Sequence, residues 1–141
     1  MKPNNIFPYT QIRVARPTQS LEKIIEFYQH GLGLSQIGSF DDHGDGISGL
    51  MLGLPTEGYH LEFTEHKNGR DCPPPTKDNL LVFYLPTTQL RNQIVERLIG
   101  LGYQIVEPEN KYWLQHGITI EDPDKWRVVL MDIASFNTLN H

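Results

Sequence analysis

The chain is written twice. Pro17-Thr18-Gln19-Ser20-Leu21, running on to Gly31-Leu32-Gly33, returns as Pro86-Thr87-Thr88-Gln89-Leu90, running on to Gly100-Leu101-Gly102, 69 residues later throughout. Of the 17 positions from 17 to 33, seven (17, 18, 21, 25, 31, 32 and 33) are identical at that offset, where average residue usage gives about one. A duplication of this kind commits the fold to two like units, each of which must hide the same surfaces.

Each copy reads as a strand, a Pro-Thr turn and an amphipathic helix. In Tyr9-Thr10-Gln11-Ile12-Arg13-Val14 polarity alternates. Thr10, Ile12 and Val14 are expected to face a core, with Tyr9, Gln11 and Arg13 on the other face. Leu80 to Leu85 is the counterpart, more uniformly apolar. In the first helix Leu21, Ile24, Ile25 and Tyr28 fall at i, i+3, i+4 and i+7; in the second Leu90, Ile94, Leu98 and Leu101 repeat the stripe. Ser20 suits the N-cap, and each Gly-Leu-Gly supplies a glycine for a left-handed stop. Short strands follow: about 36–40, 47–54 and 59–64 in the first copy, and about 104–106, 118–121 and 127–131 in the second. Lys67 to Lys77 holds three consecutive prolines, which cannot donate to a ladder, so it reads as the linker. The expected fold is α+β, one domain of two βαβββ modules, 8–66 and 78–133. A helix covers one face of each sheet, and the other faces form a cup.

Composition bounds the function. With 141 residues, 38% of them hydrophobic, the chain can bury one core. A net charge of −5 without a local Lys/Arg run gives nucleic acid no footprint. A transmembrane helix needs an apolar run of about 20 residues, and none is present. Met1-Lys2-Pro3-Asn4-Asn5 lacks the apolar stretch of a signal peptide, and the chain reads as cytoplasmic. A single cysteine, Cys72, excludes an internal disulfide.

Four motifs in order carry a family resemblance: Ile12-Arg13-Val14; Glu26-Phe27-Tyr28 before Gly31-Leu32-Gly33-Leu34; Tyr59-His60-Leu61-Glu62-Phe63; and Glu121-Asp122-Pro123-Asp124 before Trp126-Arg127-Val128-Val129-Leu130. Together they resemble the vicinal oxygen chelate superfamily of glyoxalase I, extradiol dioxygenases, and fosfomycin- and bleomycin-resistance proteins. The resemblance implies paired βαβββ units whose cup closes within one chain or across a homodimer. In metal-using members it also implies a divalent ion held by about four side chains on the end strands. Those positions fall here on Tyr9 or Gln11, on Glu62, on Leu80 or Asp78, and on Val129, which cannot ligate. A tightly held metal is therefore not expected, and the sequence names no cofactor.

Within the cup Glu62 is the candidate catalytic group, a general base or hydrogen-bond acceptor, set against a strand carboxylate merely paired with Arg13. Strand parity puts His60 on the Glu62 face. Arg13 shares a face with Tyr9 and Gln11; a glyoxalase-like arginine there binds a substrate carboxylate, whereas a bland one neutralises Glu62. Trp113 could stack on a flat ligand or fill core. The candidate substrate-binding residues are thus Tyr9, Gln11, Arg13, His60 and Trp113. Asp122-Pro123-Asp124-Lys125 reads as a structural hairpin with Lys125 where the family carries glycine.

Three functions compete. The first is binding or processing of a small polar or anionic molecule without a tightly held metal, which Val129 and the apolar Leu80 and Val82 motivate. The second is a metal-dependent lyase, isomerase or dioxygenase using Glu62 as ligand or base. The third is a cup that no longer binds small molecules and serves only as a dimer or interaction module.

Overall fold

The computed structural model describes residues 11–56 and 58–133. Strand β1 (Ile12–Pro17) runs three residues past Val14, as an edge strand can, because a proline at its end withholds no hydrogen bond from a neighbour. The first helix begins at Leu21, where Ser20 Oγ accepts from the Lys23 N–H at 3.1 Å. It runs as α1 (Leu21–Ile24) and then as a π-helical stretch, Ile25–Gly31. Helix α2 (Thr88–Gly100) starts under Thr87, whose Oγ1 accepts from the Leu90 N–H at 3.1 Å. Gly33 (φ 88°) and Gly102 (φ 102°) make the expected left-handed stops.

The repeat slips between these landmarks. The helices end 69 residues apart, at Gly31 and Gly100, but begin 67 apart, at Leu21 and Thr88. The shared Pro-Thr pair is therefore not equivalent in space: Pro17 closes β1, whereas Pro86 lies beyond β5 (Leu80–Tyr84) and Thr87 is itself the cap.

The remaining strands are β2 (Ser35–Phe40), β3 (Ile47–Gly53), β4 (Tyr59–His66), β6 (Ile105–Val106), β7 (Gly117–Glu121) and β8 (Arg127–Met131). They form two mixed four-stranded sheets of the same order, β1-β4-β3-β2 and β5-β8-β7-β6. In each, the first strand pairs parallel with the last of its module and the other pairs are antiparallel. This is the two-module α+β fold expected from the repeat. Among the described residues no ladder joins the sheets, so β1 and β5 are both edges. No helix among them is long and apolar enough to cross a membrane.

One core serves both modules. Leu61 and Phe63 of β4 and Val128 and Leu130 of β8 meet Phe27, Tyr28, Val95 and Leu98 between the sheets. The helices thus lie between the sheets, and the two helix-free faces look away from each other. The expected cup, with the helices on its outside, is therefore not formed by the two modules of one chain, because the helices' apolar stripes pack on each other as well as on their own sheets. Contact is close at Gly31, where a Cβ would strike the Leu98 side chain and whose carbonyl accepts from Arg97 Nε at 2.8 Å. Tyr103 donates to Glu26 Oε1 across the same seam at 2.6 Å. Ile12 and Val14 have the core-facing parity, yet they are 57% and 46% exposed. The helix covers only the far end of this edge strand, and there the inward side chain is Arg16, buried at 8%.

Candidate functional site

Side-chain parity assembles a polar cluster on the helix-free face of the first sheet. The parallel register sets Arg13 beside His60 and Ala15 beside Glu62. Ala15 is too small to occupy the space across from Glu62, so Arg13 reaches diagonally to it, a span open to long side chains. Arg13 Nη1 lies 3.3 Å from Glu62 Oε1, with the two side chains 43% and 19% exposed. Gln11 Nε2 donates to Nδ1 of His60. Four of the expected site residues, Gln11, Arg13, His60 and Glu62, therefore meet on one solvent-facing surface. Tyr9 lies outside the described residues. Beyond Gln11 and His60 the surface continues into a hollow of about 650 Å³ bordered by Gln36, Ile37 and Thr56.

The second sheet differs. All five residues of β8 are buried, so both its faces are covered. A 3-10 turn, Lys111–Leu114, started by Asn110 Oδ1 accepting from the Tyr112 N–H at 2.9 Å, lies on its helix-free face. A Cβ on Gly117 would strike the Trp113 carbonyl there, and would come within 2.8 Å of Met131 Sδ. Arg127 Nη1 ties down the preceding loop through the Glu107 carbonyl at 2.7 Å. Trp113, stacked edge-on with Tyr112 at 5.1 Å, thus belongs to the second module, away from the cluster on the first.

A second cavity, of about 500 Å³ and mainly apolar, opens between the modules among Val14, Leu34, Leu54, Leu81, Phe83 and Ile94. His60 borders it as well as the polar hollow.

These features can be set beside known proteins. Residues 12–64 match the YycE-like N-terminal domain and residues 78–132 the YycE-like C-terminal domain. The uncharacterized protein YycE of Bacillus subtilis is 51% identical over 126 residues, covering 89% of this chain and 90% of that protein. The chain belongs to the YycE-like family. The crystal structure of a YycE protein of unknown function from Bacillus subtilis superposes with a TM-score of 0.86 at 47% identity, covering 98% of this chain and 100% of that one. More distant likenesses show the shared vicinal oxygen chelate fold. The fosfomycin resistance protein FosX of Listeria monocytogenes, in complex with Mn(II) and 1S,2S-dihydroxypropylphosphonic acid, gives a TM-score of 0.71 at 16% identity, covering 94% and 97% of the two chains. Glyoxalase I of Leishmania major gives 0.69 at 15%, covering 85% and 84%.

The ion that the fold family implies does not fit this YycE-like chain. Of the four positions, Glu62 has its carboxylate against the Arg13 guanidinium. Val129 is fully buried and offers no donor atom. Among the described residues no three His, Cys, Asp or Glu side chains converge as a metal set would.

Sequence reasoning missed a second polar centre, inside the core. Arg16 is held by Asp122 Oδ2 through Nη2 and by Asp124 Oδ2 through Nη1, the latter at 2.9 Å. Its guanidinium stacks between the rings of Phe63 and Trp126, 4.8 and 4.6 Å from their centroids. Tyr28 donates to Asp122 Oδ2 at 2.7 Å, and Thr18 to Asp124 Oδ2 at 2.5 Å. Burial pushes the Tyr28 phenol well above its ordinary range, with the Asp122 charge adding to the effect. The hairpin 122–125 is structural as expected, and its carboxylates also lock module two onto module one. The available signal was a charged residue at core-facing parity in β1.

Proposed function

We propose that this YycE-like protein binds or processes a small polar or anionic molecule on the helix-free face of its first sheet, without a tightly held metal. The observation that carries the reading is the convergence of Gln11, Arg13, His60 and Glu62 on one open surface. A half-exposed guanidinium offers a planar fork that matches a carboxylate or phosphonate. Glu62, steadied by Arg13, is the acceptor for a donor group on the same molecule and the candidate base. The dihydroxypropylphosphonic acid held by the FosX of Listeria monocytogenes is a small oxyanion of this class. The proposal includes a homodimer, a second copy closing over this open face, with sedimentation velocity as its check.

Titration calorimetry with acetate and methylphosphonate tests the site on protein purified without chelator. Loss of a charge-assisted hydrogen bond of about 1.5–3 kcal/mol predicts that Arg13→Ala weakens binding roughly 10- to 150-fold, and EDTA leaves binding unchanged. Equal binding by Arg13→Ala overturns the reading. So does a stoichiometric metal that is lost in Glu62→Ala.

A further inference from the structure

The polar cluster and the apolar cavity share one bordering residue. His60 borders the hollow that contains Gln11, and it also borders the cavity of about 500 Å³ between the modules. Arg13 precedes Val14 in β1, so alternation sends the guanidinium to the polar face and the Val14 side chain to the cavity side. That cavity falls within the roughly 300–1,000 Å³ of small-molecule sites. Its walls are aliphatic and aromatic, and Val14 and Leu54 remain 46% and 39% exposed at its rim. Apolar side chains gathered in a concave rim beside a cation are an unusual cost for a surface to bear unless something apolar covers them.

We propose that the molecule bound by this protein is an amphiphile, with an anionic head on Arg13 and an apolar body that turns over the free β1 edge into the cavity between the modules. This rests on the reading that the first sheet's face binds an anion, and it adds the class of the molecule's remainder. A purely polar metabolite of the same charge would leave the cavity wetted and gain nothing from it. An acyl or aryl carboxylate would gain by each apolar group that it buries.

The experiment is a homologous series, acetate, butyrate, hexanoate and octanoate, titrated calorimetrically into the full chain below the micelle concentration of each. At about 0.8 kcal/mol per buried methylene, affinity should rise roughly fifteenfold for each pair of carbons until the cavity is full. Val14→Thr with Leu54→Gln alters two exposed rim positions. This double variant should flatten that rise while leaving acetate binding as in the parent, with melting curves confirming that it is folded. Arg13→Ala should weaken every member by a similar factor. Acetate binding with no gain along the series overturns the amphiphile while leaving the anion site standing. Absence of binding by every member overturns both. If sedimentation shows that a second copy of the chain occupies the groove, and that the rim variant dissociates it without touching the series, the cavity is a subunit contact and the proposal fails.

Discussion

Arg16→Ala should be among the most destabilising single substitutions in this protein. The change deletes a guanidinium whose partners Asp122 and Asp124 are 0% and 5% exposed, so two carboxylates stay behind in the core. Removing one partner of a buried ion pair costs about 3–5 kcal/mol, mostly as uncompensated charge. Unfolding entropies of about 2.1 cal/mol/K per residue convert that cost into a fall in Tm of about 10–17 °C for a chain of this length. The pH dependence separates charge from lost packing. Burial already pushes the Asp122 carboxyl above its ordinary 3.8, opposed chiefly by the Arg16 charge, so deleting Arg16 drives the folded-state value higher still. A raised folded value gives stability that is present in acid and lost as pH rises through that value. The deficit of Arg16→Ala relative to the parent should therefore be clearly smaller near about pH 4 than near about pH 7. The assay is thermal and urea denaturation followed by circular dichroism, with Asp122→Asn alone and combined to close a double-mutant cycle. A Tm within about 2 °C of the parent, or additive single effects, would refute the argument that these groups act as a buried unit.

Two further tests concern local features. Lys125 sits at φ 71°, where a side chain costs about 1 kcal/mol, so Lys125→Gly should raise Tm by about 3 °C; an unchanged or lower Tm would show that the turn carries no such strain. Glu26 is held below its ordinary 4.5, first by the hydrogen bond from Tyr103. Its contribution is thus present above that value and lost as pH falls through the folded-state one, and Tyr103→Phe should flatten the acid limb of urea midpoints measured from about pH 3 to 7. Superimposable acid limbs would count against the link.

Much of the fold was legible because two short-range signals agree: polarity alternation in the strands, and the apolar stripe between Ser20 and Gly33 in the helix. Parity alone put Arg13, His60 and Glu62 on one side of the sheet, and the register then made Arg13 a diagonal neighbour of Glu62. The rest depended on distance along the chain. The partners of Arg16 lie in a hairpin more than 100 residues away, and alternation says which way a side chain points, not what it meets. Ile12 and Val14 show the same limit, since inward parity on an edge strand buries a residue only where the helix reaches. The repeat itself misled on one point. Identity at offset 69 aligned Thr18 with Thr87, but the capping hydroxyls belong to Ser20 and Thr87, because a cap is fixed by where the helix starts and not by ancestry. The turn 111–114 over the second sheet had no signal beyond Asn110, a residue equally at home in any loop.

That turn sets an arithmetic for the whole molecule. Each module has a helix-free face, but on the second Trp113 and its neighbours rest against Gly117 and β8. On the reading proposed above, titration should saturate at one molecule per polypeptide. The second half serves instead as the anvil from which Asp122 and Asp124 hold Arg16 of the first.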